Sequence, residues 1–204
     1  MKLGRKAIVS IVIIVLLTSS GLLLSQLLGQ PAEVVVFQFS MGTIEIQLDR
    51  QHAPITVNNF LSYVKAGFYD GTIIHRVMPD FVIQGGGFVS NGTAKTTNAP
   101  IKLESNNGLK NLAGTIAMAR TNEENSATSE FYINLVDNTD LDYSYYSPGY
   151  AVFGKVISGL DVVNQIGKVP TETRNIFLPA YNQTVPMENW PVQDIVIIRA
   201  YVKP

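Results

Sequence analysis

The 204-residue chain has no cysteine and only two histidines, His52 and His75. The first absence excludes disulfides, thiol nucleophiles and cysteine-ligated zinc. The second leaves metal catalysis short of ligands, because no H-x-H or H-E-x-x-H spacing occurs, so no metal site is expected. Charge is scarce as well: 15 Lys+Arg and 16 Asp+Glu make up 15% of the chain, against 46% hydrophobic residues. Disordered chains and nucleic-acid coats need more charge and less apolar surface, so no nucleic-acid partner is expected. No G-x-S-x-G elbow is present for a serine hydrolase. The run Gly85-Gly86-Gly87 fits neither the phosphate-binding loop nor the dinucleotide fingerprint; it reads as a strand end or bulge that needs open backbone angles.

What the sequence does have is one long apolar run. Residues 7–28, AIVSIVIIVLLTSSGLLLSQLL, carry no charge and follow Lys2, Arg5 and Lys6. About 20 apolar residues behind a basic start suit a secretory signal or a helix that crosses the hydrocarbon core. The apolar residues continue through Leu27 and Leu28, past a possible cleavage site at Ser19-Ser20-Gly21. That favours an uncleaved signal anchor with its N-terminus inside, and so an extracytoplasmic domain held at the membrane, or a secreted one if the segment is cut. The chain accordingly divides into a segment 1–32 and a domain 33–204. Removing the three cations of residues 1–32 takes the net charge from −1 to −4, which leaves no basic footprint.

Residues 33–204 are enough for one domain with one sizeable core. Thr43–Leu48 alternates polar and apolar residues with period two, and Val34–Phe39 precedes it across a short turn, which predicts a hairpin. Further strands are expected at Ile73–Met78, Val82–Gln84, Thr115–Ala119, Phe131–Leu135, Ala151–Val156 and Ile195–Val202, about eight in all. In Pro54–Ala66 the apolar residues Val57, Phe60, Leu61 and Val64 keep helical spacing, with Gly67 as a stop. A shorter helix is expected at Leu160–Ile166. Many short strands with two helices point to a closed barrel capped at its ends. Asn106-Asn107-Gly108 and the proline-containing stretch Thr171–Pro191 read as loops.

Phe68–Phe88, FYDGTIIHRVMPDFVIQGGGF, is the densest segment chemically. Val82 and Gln84 share a strand face, and Phe81 points the other way unless the Met78-Pro79-Asp80 turn re-aims it. Taken alone, Arg76 reads as a surface ion-pair residue.

This segment, with GTIAMARTNEENSATSEFYIN at Gly114–Asn134 and GYAVFGKV at Gly149–Val156, closely resembles the cyclophilin family of peptidyl-prolyl cis-trans isomerases, especially its small bacterial-type members. The resemblance runs from about Val35 to Pro170. It implies a mainly β fold, a closed eight-stranded antiparallel barrel capped by two α-helices, behind the N-terminal hydrophobic helix. It also implies rotation about X-Pro bonds in proline-containing polypeptides, with no cofactor, and a monomer is expected.

By the same resemblance Arg76 is the catalytic residue. Phe81, Val82, Tyr132 and Leu141 form the proline pocket, Gln84 holds the substrate backbone, and Ala119 and Arg120 line the edge along which the peptide lies. Glu130, Tyr132 and Tyr150 occupy substrate-binding positions where glutamine, phenylalanine and histidine are usual. His75 is expected to support the site and not to act as a base. Glu130 could pair with Arg76 or Arg120 and hold it off the substrate, and Tyr132 adds a hydroxyl that needs a partner or water if buried. Because these two alter the groove, a second reading remains, a proline-binding chaperone or scaffold module with little turnover.

Overall fold

A computed structural model describes residues 32–178 and 182–204. The hydrophobic segment 7–28 lies outside them. Among the described residues no helix is long and apolar enough to cross a membrane. Glu33–Pro204 forms one compact unit.

Period-two alternation builds its walls. Strands β1 (Val34–Phe39) and β2 (Gly42–Leu48) pair antiparallel across Ser40-Met41. Val35, Phe37, Ile44, Ile46 and Leu48 point into the core, and Glu45 and Gln47 point away. Six more strands close the wall: β3 (Thr72–Met78), β4 (Val82–Val89), β5 (Thr115–Met118), β6 (Phe131–Asn134), β7 (Val152–Ser158) and β10 (Ile195–Val202). Their order is β1-β10-β3-β4-β6-β5-β7-β2, and every pairing is antiparallel. The barrel therefore encloses a side-chain core and no channel. Phe37 lies 5.3 Å from Phe131 and 5.9 Å from Phe60, ring centre to ring centre.

Helix α1 (Pro54–Lys65) sends Val57, Phe60, Leu61 and Val64 into this core, and α2 (Leu160–Ile166) adds Val163 and Ile166. Ala53 at the start of α1 has no side chain to cap it. Glu104 does so instead, its carboxylate accepting from the backbone amides of Ile55 at 3.1 Å and Thr56 at 2.8 Å and from the Thr56 hydroxyl at 2.8 Å. An anion beside these amides also meets the positive end of the helix dipole.

Thr171–Pro191 is not a loop. It forms a second, two-stranded sheet, β8 (Thr171–Leu178) with β9 (Gln183–Pro191). Its prolines fit because each strand of a two-stranded ribbon has a free edge that needs no amide donor. Ile176 and Trp190 turn inward onto Ile73 and Phe88 and make a separate apolar cluster outside the barrel. Arg174 ties the hairpin down through Asp194 at 2.9 Å.

Candidate active site

Strand phase decides which side chains leave the barrel. In β3, Ile74 faces the core, so Arg76, two residues on, should face it as well. A register shift between Ile74 and Arg76 prevents this, since Ile74 pairs with Gly85 and Arg76 with Gln84, giving β3 one extra residue. After this bulge Val77 points inward, and His75 and Arg76 both lie outside the core cluster. In β4, Ile83 is inside while Val82 and Gln84 are outside. In β6, Phe131 and Ile133 are inside and Tyr132 is outside. Adjacent strands thus bring Arg76, Gln84 and Tyr132 side by side on the outer wall, as the pairs Arg76 with Gln84 and Gln84 with Tyr132 require.

Phe81 joins them because of the turn. Asp80 adopts a positive φ of 58°, and the Phe81 amide donates to the Met78 carbonyl at 3.1 Å, which swings the ring onto the same face as Val82. Leu141, at the end of a single 3-10 turn, and Tyr150 complete the rim, and the Tyr150 amide donates to the Leu141 carbonyl at 2.9 Å. The result is an open pocket of about 170 Å³ lined by Arg76, Phe81, Val82, Gln84, Ala119, Arg120, Tyr132, Leu141 and Tyr150. These are nine of the ten residues selected from the sequence. The exception is Glu130, which stands behind Gln84.

Glu130 pairs with neither arginine. Its carboxylate accepts from the Gln84 amide at 2.8 Å and stands 3.5 Å from Nε2 of His75. Nor is Arg76 an ion-pair residue: it takes part in none of the salt bridges among the described residues. Its guanidinium is half-buried and donates to Gln84 Oε1 at 3.2 Å and to the Met78 sulfur at 2.7 Å.

Arg120 is held quite differently. It donates to the carbonyls of Gly149 at 3.0 Å and Thr121 at 2.9 Å and lies 4.6 Å over the Tyr150 ring. Arg120 is therefore pinned to the main chain and builds the pocket edge, whereas Arg76 is held only by the side chains of Gln84 and Met78.

Beneath the pocket runs a polar network that the sequence did not disclose. The Tyr132 hydroxyl donates to Asn111 Oδ1 at 2.7 Å, and Asn111 donates through its backbone amide and side chain to Asp142. Asn138 donates to the Phe81 carbonyl at 2.9 Å and to Asn134 at 2.8 Å. These asparagines are scattered along the chain with no spacing signal, and only the folded register assembles them. Burial, with the Tyr150 phenol and Asp142 adding to it, pushes the Tyr132 phenol far above its ordinary range, so it stays neutral. Burial likewise lowers His75 below the usual imidazole value, against the pull of Glu130 and with that of Arg76. His75 Nδ1 is buried without a hydrogen-bond partner among the described residues, and its ring packs 4.8 Å from Phe88 and 5.8 Å from Trp190.

Chemically, the pocket offers a guanidinium free of ion pairs and main-chain bonds, an amide and an apolar cup. No group of three or more potential metal ligands occurs among the described residues.

Comparison with known proteins places the chain in a family. The family model for cyclophilin type peptidyl-prolyl cis-trans isomerase/CLD matches residues 34–202. The chain is 49% identical over 168 residues to peptidyl-prolyl cis-trans isomerase A of Dickeya dadantii, covering 82% of this chain and 83% of that protein. It is 50% identical over 170 residues to a peptidyl-prolyl cis-trans isomerase of Acinetobacter baylyi, covering 83% and 85%. Among solved structures, a Cryptosporidium parvum cyclophilin type isomerase crystallised in the presence of the dipeptide Ala-Pro shares the fold, with a TM-score of 0.69, 24% identity, and coverage of 84% of this chain and 99% of that one.

Proposed function

The chain belongs to the cyclophilin-type peptidyl-prolyl cis-trans isomerases and is an enzyme of that kind; from that premise we propose that Arg76 carries the reaction in the pocket described above. An X-Pro bond rotates over a barrier of about 18–20 kcal/mol because the nitrogen lone pair is delocalised into the carbonyl. As the bond twists, the lone pair returns to the nitrogen, which becomes basic. A guanidinium donor aimed at that nitrogen makes a hydrogen bond that exists chiefly in the transition state, and so it accelerates rotation without a nucleophile, a metal or a proton transfer.

Phe81, Val82, Tyr132 and Leu141 receive the prolyl ring, and Gln84 with the backbone at Ala119 orients the flanking carbonyls. The proline-containing polypeptide lies along the edge built by Arg120 and Tyr150.

The observation that carries this reading is the contrast between the two arginines: Arg120 is committed to main-chain carbonyls, and Arg76 is not. The expectation that Glu130 and Tyr132 would impair the groove, and with it the case for a module with little turnover, loses its ground because the carboxylate contacts Gln84 and the Tyr132 hydroxyl has its partner in Asn111. Arg76→Ala should lower kcat/KM at least about tenfold, or about 1.4 kcal/mol of barrier, with unchanged circular dichroism. Arg76→Lys should recover little, since lysine lacks the planar fork. Wild-type turnover in Arg76→Ala would refute the assignment.

The cellular setting is part of the same proposal. The charge-free run 7–28 behind three cations supports a domain tethered outside the cytoplasm, where it assists the folding of exported chains.

A further inference from the structure

Glu130 lies behind the pocket, yet it is seated more firmly than a surface carboxylate needs to be. Its side chain crosses Gly87 of β4, where an added Cβ would come 2.5 Å from Oε1 and 2.8 Å from Cγ, so the seat exists only because position 87 has no side chain. On its other flank stands Nε2 of His75, 3.5 Å from Oε2, and His75 is packed against Phe88 and, from the β8–β9 hairpin, Trp190. The same Oε2 accepts from Gln84 Nε2 at 2.8 Å. At its other end the Gln84 amide accepts from Arg76 Nη1 at 3.2 Å.

A primary amide has nearly the same shape either way round, and it turns over freely where its neighbours can both give and take hydrogen bonds. These neighbours cannot. A guanidinium only donates and an ionised carboxylate only accepts, so a flipped Gln84 would set N–H against N–H on one side and oxygen against oxygen on the other. One orientation survives, with Oε1 toward Arg76 and Nε2 toward Glu130. The intervening amide also keeps the two charges from contact, so the guanidinium is steered without being consumed by an ion pair.

We propose that Glu130 is a positioning residue of the isomerase reaction: seated between Gly87 and His75, its carboxylate locks the Gln84 amide and, through it, the aim of Arg76. The inference rests on the roles given above to Arg76 and Gln84. It adds that a carboxylate outside the pocket governs turnover more than substrate affinity.

The test is a double-mutant cycle on the full chain, with kcat and KM measured on an X-Pro peptide for Glu130→Leu, Glu130→Gln, Gln84→Leu and the Glu130→Leu/Gln84→Leu pair, alongside Arg76→Ala. Glu130→Leu should lower kcat about fivefold or more with KM changed less than about twofold. Glu130→Gln, whose amide can give as well as take and so releases one side of the lock while Arg76 still holds the other, should fall between wild type and Glu130→Leu in kcat. In the Gln84→Leu background, Glu130→Leu should add less than about twofold. Equal losses in both backgrounds, or none from Glu130→Leu, overturn the inference, and a large loss in Arg76→Ala then leaves the pocket reading standing. Full turnover in Arg76→Ala removes both. If Glu130→Leu does not fold, Glu130→Asp, one methylene too short to reach Gln84 from the same backbone, serves in its place.

Discussion

At the scale of single residues, His75 shows what burial does to a titrating group. It is 2% exposed, and burial holds its imidazole below the ordinary value of about 6.5 that the unfolded chain would show. Above that value the ring is neutral in both states and adds no slope. Below it the unfolded chain takes up a proton that the folded chain refuses, so stability falls as pH falls, by at most about 1.4 kcal/mol per pH unit, until the folded value is reached. Urea titrations between pH 7 and 5 should therefore show a steeper loss in wild type than in His75→Gln, and equal slopes would refute this. Eight of the nine pocket residues were legible in the sequence because three separated motifs carry them, and Leu141 lies between the second and third. Their aim was not: a β3 bulge turns Arg76 outward, a positive φ at Asp80 turns Phe81, and the missing side chain at Gly87 draws Glu130 behind Gln84. Each is a local break in the regular pattern, a bulge, a left-handed turn residue or a missing side chain, which period-two alternation does not announce.

At the scale of elements, both helices and all eight barrel strands were readable in place, because one-sided burial imposes a period of 3.6 or 2, but β4 runs on through Gly85-Gly86-Gly87 to Val89, where the glycines read as a strand end or bulge. The β8–β9 hairpin was not, since its prolines and its length imitate a loop, and the core it covers, Ile73 and Phe88 with Trp190, lies outside the barrel. The cap on α1 was also hidden, because its acceptor stands 49 residues from Ile55 in the chain. Glu104→Ala should cost about 2 kcal/mol, toward the upper end of capping effects since one carboxylate serves two backbone amides. A urea midpoint unchanged by the substitution, at equal slope, would show that water replaces the carboxylate without loss.

At the scale of the whole molecule, the apolar run and the barrel have separate jobs and can be tested separately. The full chain should remain with membranes through alkaline carbonate washing, and residues 33–204 alone should be released, because about 20 apolar residues in lipid hold effectively irreversibly. A processed product that begins near Leu22 would show a cleaved signal instead. The closed barrel has a further consequence, which concerns time. Strand β10 is the piece between β1 and β3, so Val35 meets Val202 and Ile74 meets Ile195. Contacts this far apart in sequence form late and slow folding. On a ribosome adding about 5–20 residues per second, the roughly 100 residues between β4 and β10 take about 5–20 s, during which β1 and β3 keep unpaired edges beside apolar faces. Through that interval the nascent isomerase is itself an unfinished chain with open strand edges, exposed to misassembly like the polypeptides it acts on.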